Sequence, residues 1–379
     1  MAIISTTSST TISTTTSTTT MTFSVYNQIT HPKDCTYKLI QLPKQLAEYI
    51  KSEPNKPLSF KAPTNVKNQL AICTDTSTYT VRQMNHSNTQ LLMNDMAINT
   101  LGKSLAHADS DAPPQSLLSI GSMSYLYEVT ETDGHIDTMG VPTYTGSGCD
   151  ISEATKTIDD VCDDSPIAPQ RFLACWYAIG GSVVDGKAVL LAPQLITDVL
   201  YTMISLMIAK SLESFDIDAM AADVAEHNAH FSREMVITVA SKFRNADADT
   251  SSLDPEHVAR WFGIETLRNH PKTFSEKELL LEWKSSLPAF YNASLDLKLL
   301  LGHYCRPMTG QIWYLRPDSL NTDLHSRIKE MFQIVKEWDF DEFLPFVSAF
   351  VPASKKPDSV ILKYARKKRV GKKFVVCPR

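Results

Sequence analysis

The most constraining feature of this 379-residue chain is a repeat within its last 130 residues. The segments that begin at Ser275 and Asp339 each place a helix-capping residue three positions before a glutamate, and a proline follows 13 positions after each cap. Each copy continues with a second helical pattern and two short β-runs, and an amphipathic helical pattern precedes it. Three helices and a β-hairpin in about 60 residues are typical of a winged helix.

A further copy is expected upstream, because three helical patterns precede the repeat. They are RFLACWYAI, an apolar stripe from Leu195 to Met207, and SREMVITVASKFR, and no wing is recognisable after them. The sequence therefore predicts tandem winged helices over 166–250, 251–318 and 319–379. An irregular helical domain with a chance match is the alternative.

The first half of the chain has a different character. Residues 1–20 contain 15 Ser or Thr and no charge, which predicts a disordered tail. Residues 21–145 alternate short β-rich runs with turn residues, as in a barrel or sandwich, and an incomplete barrel that closes only with a partner is one possibility. Residues 146–165 are acidic and predict a linker. The expected fold class is α+β.

Charge separates the predicted winged helices. Residues 354–379 carry ten basic residues against one Asp, although the whole chain has a net charge of -5. Since a winged helix can lay its third helix and its wing on DNA, this basic end predicts sequence-independent contact with phosphates. Lys363, Arg366 and Lys367 would face out from the third helix, and Arg369, Lys372 and Lys373 would flank Gly371 at the wing turn. A solvated tail or a nuclear import signal at Arg366–Arg369 is the alternative. The candidate DNA-binding residues are Lys355, Lys356, Lys363, Arg366, Lys367, Lys368, Arg369, Lys372 and Lys373.

The acidic counterpart lies in the first predicted winged helix. Residues 213–256 contain ten acidic residues against three basic ones, so this segment repels phosphate and suits a basic protein surface. The candidate docking residues are Asp216, Asp218 and Asp223.

The sequence offers little catalytic chemistry. It contains no phosphate-binding glycine loop, no CxxC pair and no HExxH, and its seven Cys are an odd number with none close together. We therefore expect no enzyme activity, no cofactor and no metal. The longest apolar run, Val199–Ala209, is too short to span a bilayer, so no membrane contact is expected.

One segment resembles a known family. Within Leu70–Met93, the arrangement of Cys73, Thr78-Tyr79, Val81-Arg82, Ser87-Asn88 and Leu91-Leu92 resembles the sister chromatid cohesion subunit of the alternative replication factor C clamp loader. Similarity continues through RFLACWYAIGG, SSLDPEHVARWFGIETL and LLLEW, and through IWYLRPDSL, FQIVKEWDFDEFLPFV and KYARKKRVGKKFVV.

The resemblance implies a nuclear, non-catalytic scaffold. In that family the β-rich part joins a small subunit and the tail of the large clamp-loader subunit in a composite barrel module, and three winged helices follow. The module attaches the loader to the catalytic subunit of DNA polymerase epsilon, and the winged helices can touch DNA. The expected processes are handling of the sliding clamp (PCNA), sister chromatid cohesion and checkpoint signalling. The alternative is a stand-alone winged-helix transcription or chromatin factor, whose β domain should be closed and stable alone.

Overall fold

The computed structural model is a mixture of helices and small β-sheets, which confirms the predicted α+β class. The chain divides into two compact units, residues 1–140 with 156–175, and residues 141–155 with 176–379. The predicted disordered tail over 1–20 lies outside the residues that the structure describes. The described residues are 24–27, 37–62, 70–95, 116–146, 151–245, 251–270, 272–351, 356–371 and 373–379.

Six strands form the sheet of the first unit. They are β1 (Ser24–Asn27), β2 (Ile40–Gln41), β3 (Ser59–Lys61), β4 (Leu70–Cys73), β5 (Thr78–Asp95) and β6 (Ser116–Thr132). Their order across the sheet is β1, β6, β5, β4, β3, and β2 also pairs with β6. The strands from β3 to β6 are antiparallel neighbours, whereas β1 and β2 run parallel to β6.

A short helix covers one face of this sheet where β4 and β5 begin. Helix α1 (Lys44–Ser52) buries Leu46 completely, and Leu46 shares a small core with Ile72, Tyr79 and Val129. Ile72 and Tyr79 are paired across β4 and β5, so their side chains point to the same face. The core of the first unit lies between this face and α1.

The opposite face is covered by part of the acidic segment. Helix α2 (Ile158–Asp164) starts at a capping box between Thr157 and Asp160 and buries Val161. Just beyond it, the backbone N–H of Ala168 donates a 2.8 Å hydrogen bond to the side chain of Thr78. Part of the segment predicted as a linker over 146–165 is thus a capped helix, and the predicted division into domains stays a prediction.

Beyond this covered base, β5 and β6 continue as a long antiparallel ribbon, and β1 pairs with the outer side of β6 at its far end. Strand β4 pairs with β5 only as far as Val81, and from Arg82 to Asp95 β5 pairs with β6 alone among the described residues. The pairing register shifts twice along this stretch. Leu91 on the ribbon is 47% exposed. One edge of β5 therefore lacks a neighbouring strand along most of its described length.

The second unit begins with a hairpin that the sequence analysis did not anticipate. Helix α3 (Pro169–Ala178) crosses the boundary between the two units, which lies after residue 175. The other elements of this part are β7 (Thr143–Tyr144), β8 (Gly181–Val184), β9 (Lys187–Leu191), α4 (Pro193–Ala209), α5 (Ile217–His227) and α6 (Arg233–Lys242). Strands β8 and β9 turn at Asp185 and Gly186, which have φ angles of 50° and 75°. The hairpin thus lies between α3 and α4, whereas the predicted order over 166–250 places a wing after three helices. An antiparallel bridge between Arg244 and Leu253 follows α6.

The repeat seen in the sequence corresponds to two successive sets of elements with the same order. The first set is α7 (Pro255–Asn269), β10 (Phe274–Ser275), α8 (Glu276–Ser286), a 3-10 helix (Leu297–Leu300), β11 (Tyr304–Cys305) and β12 (Gln311–Tyr314). The second is α9 (Leu324–Ile334), β13 (Trp338–Asp339), α10 (Phe340–Ser348), α11 (Pro357–Ile361), β14 (Ala365–Val370) and β15 (Lys373–Pro378). We call them the second and third repeats, because the helical segment predicted as the first winged helix, 166–250, precedes them. The winged-helix interpretation stays a prediction.

The helix caps of the two repeats differ. Ser275 and Glu278 form the predicted capping box at the start of α8. Asp339 caps α10 by accepting from the N–H of Asp341, but Glu342 does not complete a box. Its carboxylate instead accepts from Arg306 Nε at 2.8 Å and from the Tyr304 hydroxyl at 3.1 Å. The expected second capping box is therefore replaced by a contact between the repeats.

The hairpin of the second repeat is part of the core of the third. Cys305 is completely buried, and Leu315 is 4% exposed, in a cluster with Ile328, Met331 and Val376 of the third repeat. The β11–β12 hairpin thus packs against the third repeat.

Candidate nucleic-acid interface

The C-terminal hairpin carries most of the predicted DNA-binding residues. Strands β14 and β15 pair from Ala365↔Pro378 to Val370↔Lys373, and Gly371 supplies the turn with a φ of 62°. Ala365 and Val376 are buried in the third repeat, and β13 pairs with β15 on its other side. The hairpin is therefore a fixed part of a three-stranded sheet.

The structure corrects where the basic residues lie. We expected Lys363, Arg366 and Lys367 to project from a third helix, but that helix, α11, ends at Ile361. Arg366 and Lys367 lie on β14, because the run from Ala365 to Val370 pairs with β15 and satisfies its backbone groups there. Lys355 and Lys372 lie outside the described residues. Six of the predicted DNA-binding residues are exposed, namely Lys356, Lys363, Arg366, Lys368, Arg369 and Lys373.

Lys367 is held inside the fold. Its Nζ lies 2.6 Å from Asp358 Oδ1, and 3.6 Å and 4.6 Å from the ring centroids of Phe340 and Phe374. Its side chain is only 20% exposed. Lys367 thus stabilises the third repeat by an ion pair and by cation–π contacts, and it is not free to bind a phosphate.

Two other lysines of the hairpin have acidic neighbours but remain exposed. Lys373 Nζ lies 2.7 Å from Asp339 Oδ2, and this hydrogen bond and the negative charge raise the pKa of Lys373. Lys368 Nζ lies 3.8 Å from Glu337 Oε1. Such exposed pairs are weak, so a phosphate can displace them.

The remaining cations have no carboxylate partner within the described part of the chain. These are Lys356, Lys363, Arg366 and Arg369. Arg369 Nε donates only to the Gly371 carbonyl, at 3.3 Å. Residues 354–379 contain no Asn or Gln, the side chains that read adenine edges. The hairpin region can thus neutralise phosphates without reading bases.

The predicted docking carboxylates make structural contacts within the second unit, and their docking role stays a prediction. Asp216 is the N-cap of α5 and accepts from two backbone N–H groups, each at 3.0 Å. Asp218 pairs with Arg233 at 2.5 Å, and Asp223 pairs with Lys210 at 2.6 Å.

Asp216 and Asp218 are exposed, and so are three carboxylates of the same segment that were not among the predicted docking residues, namely Glu213, Glu226 and Glu234. The sequence could have separated them from Asp216, because the position of Asp216 before α5 is that of a helix cap.

The described residues hold no group of three or more His, Cys, Asp or Glu side chains arranged to bind a metal ion. Within the same residues, no helix combines the length and hydropathy needed to cross a membrane.

Comparisons with known proteins agree with one another. The family model for sister chromatid cohesion protein Dcc1 matches residues 37–347 of this chain. The sister chromatid cohesion protein DCC1 of the yeast Saccharomyces cerevisiae is 30% identical over 371 residues, which cover 91% of this chain and 97% of the relative. The family match spans both units and ends before the basic hairpin. By both measures, the chain belongs to the Dcc1 family of sister chromatid cohesion proteins.

Proposed function

We propose that this chain is a non-catalytic scaffold subunit of an alternative replication factor C-type clamp loader in the nucleus. It joins the large and small subunits of that loader and tethers them to the catalytic subunit of DNA polymerase epsilon and to DNA. Through these contacts it supports loading and unloading of the PCNA clamp, sister chromatid cohesion and checkpoint signalling.

The observation that carries the proposal is the open edge of the ribbon. From Arg82 to Asp95, β5 has no second neighbour among the described residues. An exposed strand edge is a template for addition of another strand, and it invites aggregation when it is left open. Leu91 adds apolar surface there. A partner strand that pairs with β5 would satisfy both the backbone groups and this apolar side chain.

The second part of the proposal is that the three helical sets of the second unit are winged helices, of which the third contacts DNA. This part is supported by four cations that have no carboxylate partner among the residues the structure describes: Lys356, Lys363, Arg366 and Arg369. If each neutralises about one phosphate, the logarithm of the affinity falls with the logarithm of salt with a slope of about -3 to -4. Binding would be nearly indifferent to sequence, with a dissociation constant on the order of 10⁻⁴–10⁻⁶ M at physiological salt.

The partner contact is tested with the full chain, co-expressed with the large and small clamp-loader subunits of the same organism. Leu91→Lys places a charge on the ribbon and should reduce recovery of both partners, as measured by size-exclusion chromatography with mass determination. Leu281→Lys is the matched control, because Leu281 is 69% exposed on α8 of the second unit and its substitution should leave assembly unchanged. Normal assembly of the Leu91→Lys chain would contradict a partner strand at this edge.

A fragment provides an independent measurement. Residues 1–175 retain the segment that covers the base of the sheet, so their behaviour reports on the ribbon rather than on a missing layer. We expect this fragment to aggregate alone and to become soluble with its partners. A monodisperse fragment that melts cooperatively would favour the stand-alone winged-helix factor instead.

A further inference from the structure

Two carboxylates lie among the basic side chains of the C-terminal sheet. Val375 pairs with Asp339 on one side and with Lys368 on the other, so these three residues form one row across the sheet. Lys373 lies two positions before Val375 and therefore shares its face. Glu337 directly precedes β13 and reaches Lys368. The lysines on this face thus meet negative charge within the third repeat itself.

Asp339 is fixed in place by a second duty. Its Oδ1 accepts from the N–H of Asp341 at the start of α10, while its Oδ2 accepts from Lys373. Its side chain is only 20% exposed. When Lys373 turns toward a phosphate, Asp339 stays at the helix N-terminus and faces the incoming negative charge.

A cleft beside the hairpin makes this environment acidic. It is lined by three carboxylates, Glu337, Asp339 and Glu342, against two cations, Arg306 and Lys373. Arg306 is already bound to Glu342. A phosphate on Lys373 therefore approaches a surface with an excess of negative charge, whereas Arg366 has no carboxylate partner among the described residues.

We propose that Glu337 and Asp339 are built-in competitors of DNA phosphate for Lys368 and Lys373. They keep these two lysines out of the DNA contact unless a phosphate displaces them, and they leave the unpaired cations as the main contact. This inference rests on the proposed contact between the third repeat and DNA. The carboxylates weaken that contact and keep it reversible.

The test compares full-length variants by fluorescence anisotropy with two labelled duplexes of unrelated sequence, at several salt concentrations. Glu337→Gln and Asp339→Asn remove the two charges, and Asn retains the capping oxygen that α10 needs. The double variant should bind about three- to tenfold more tightly, since each exposed charge contact is worth a few-fold in an equilibrium constant. The slope against salt should steepen by about one to two units, because two more lysines are available.

Adding Lys368→Ala and Lys373→Ala to the double variant should abolish its gain in affinity for DNA. The same two lysine changes in the otherwise unmodified chain should lower the affinity by a smaller factor. Asp358→Asn is the control within the repeat, because the lysine it releases stays between two aromatic rings. Glu213→Gln controls for net charge. Neither control should raise the affinity.

The outcomes separate the two proposals. If the unmodified chain binds DNA and the Glu337→Gln and double variants bind equally well, the competition is wrong and the DNA contact stands. An equal gain from Glu213→Gln would reduce the effect to bulk charge and overturn the inference. If no form of the chain binds either duplex, the proposed DNA contact fails, and the competition fails with it.

Discussion

Arg327 is a buried cation that binds backbone rather than a carboxylate. Its guanidinium donates to the carbonyls of Phe346, Leu320, Asn321 and Pro317 at 2.7–3.2 Å. These carbonyls come from two segments, residues 317–321 before α9 and Phe346 on α10. Arg327 therefore connects α9, the end of α10 and the loop before α9.

We predict that Arg327→Ala lowers the free energy of unfolding by about 3 kcal/mol or more, because several carbonyls lose a charged donor at once. Lys offers fewer donors in a less suitable geometry, so Arg327→Lys should recover only part of the loss. Chemical denaturation of the full chain measures both changes. Lys329→Ala, an exposed change on the same helix, should shift stability by less than about 0.5 kcal/mol. A loss for Arg327→Ala as small as that of Lys329→Ala would contradict the bridging role.

At the scale of the element, α7 contains a glycine that its packing requires. A Cβ at position 263 would lie 2.6 Å from Leu300 Cδ2 and 2.6 Å from Trp283 Cε2. Helix propensity favours alanine over glycine by about 1 kcal/mol, but overpacking in a core costs about 1–3 kcal/mol. Both contacting side chains are fully buried, so the steric effect should prevail.

Gly263→Ala should therefore destabilise the chain by about 1–2 kcal/mol. The measurement is chemical denaturation, in the native background and with Trp283→Leu, which removes part of the overlap. The loss should be smaller in the second background. Stabilisation by Gly263→Ala in the native background would show that propensity outweighs packing here.

Elements that depend on neighbouring residues could be predicted from the sequence, whereas elements that depend on contacts between distant residues could not. The capping box at Ser275 and the turn at Gly371 depend on neighbouring residues, and both are present. The β8–β9 hairpin also has a local signal, the Asp185-Gly186 dipeptide between apolar runs, and it was overlooked. By contrast, Glu342 does not form the expected capping box, because its carboxylate accepts a hydrogen bond from Arg306, 36 residues away in the chain.

The same division holds in the candidate site. The sequence indicates a basic hairpin, because charge and turn residues are visible in it. It does not show that Lys367 is enclosed by Asp358, Phe340 and Phe374, since that depends on three elements meeting. The partners of Asp216, Asp218 and Asp223 were missed for the same reason.

At the scale of the whole molecule, charge is separated between an acidic segment, 213–256, and a basic end, 354–379. If the acidic segment docks on the polymerase, its exposed carboxylates should carry the effect. We predict that Glu213→Lys with Glu226→Lys weakens binding of the polymerase epsilon catalytic subunit, measured by biolayer interferometry, and leaves assembly with the clamp-loader subunits unchanged. The corresponding Gln changes should give an intermediate loss. Unchanged polymerase binding by the Lys variant would place the docking surface elsewhere.

The contact between the second and third repeats limits how this tandem array can be rearranged. Cys305 and Leu315 precede the third repeat in the chain yet complete its interior, and Glu342 of the third repeat holds Arg306 of the second. A gene that lost only the last repeat would leave a hairpin with an apolar face and an arginine deprived of its shorter ion pair. One that kept only the last repeat would lack part of its interior. The two repeats therefore form one inheritable unit, because duplication or exchange of a single copy would disrupt the interior that they share.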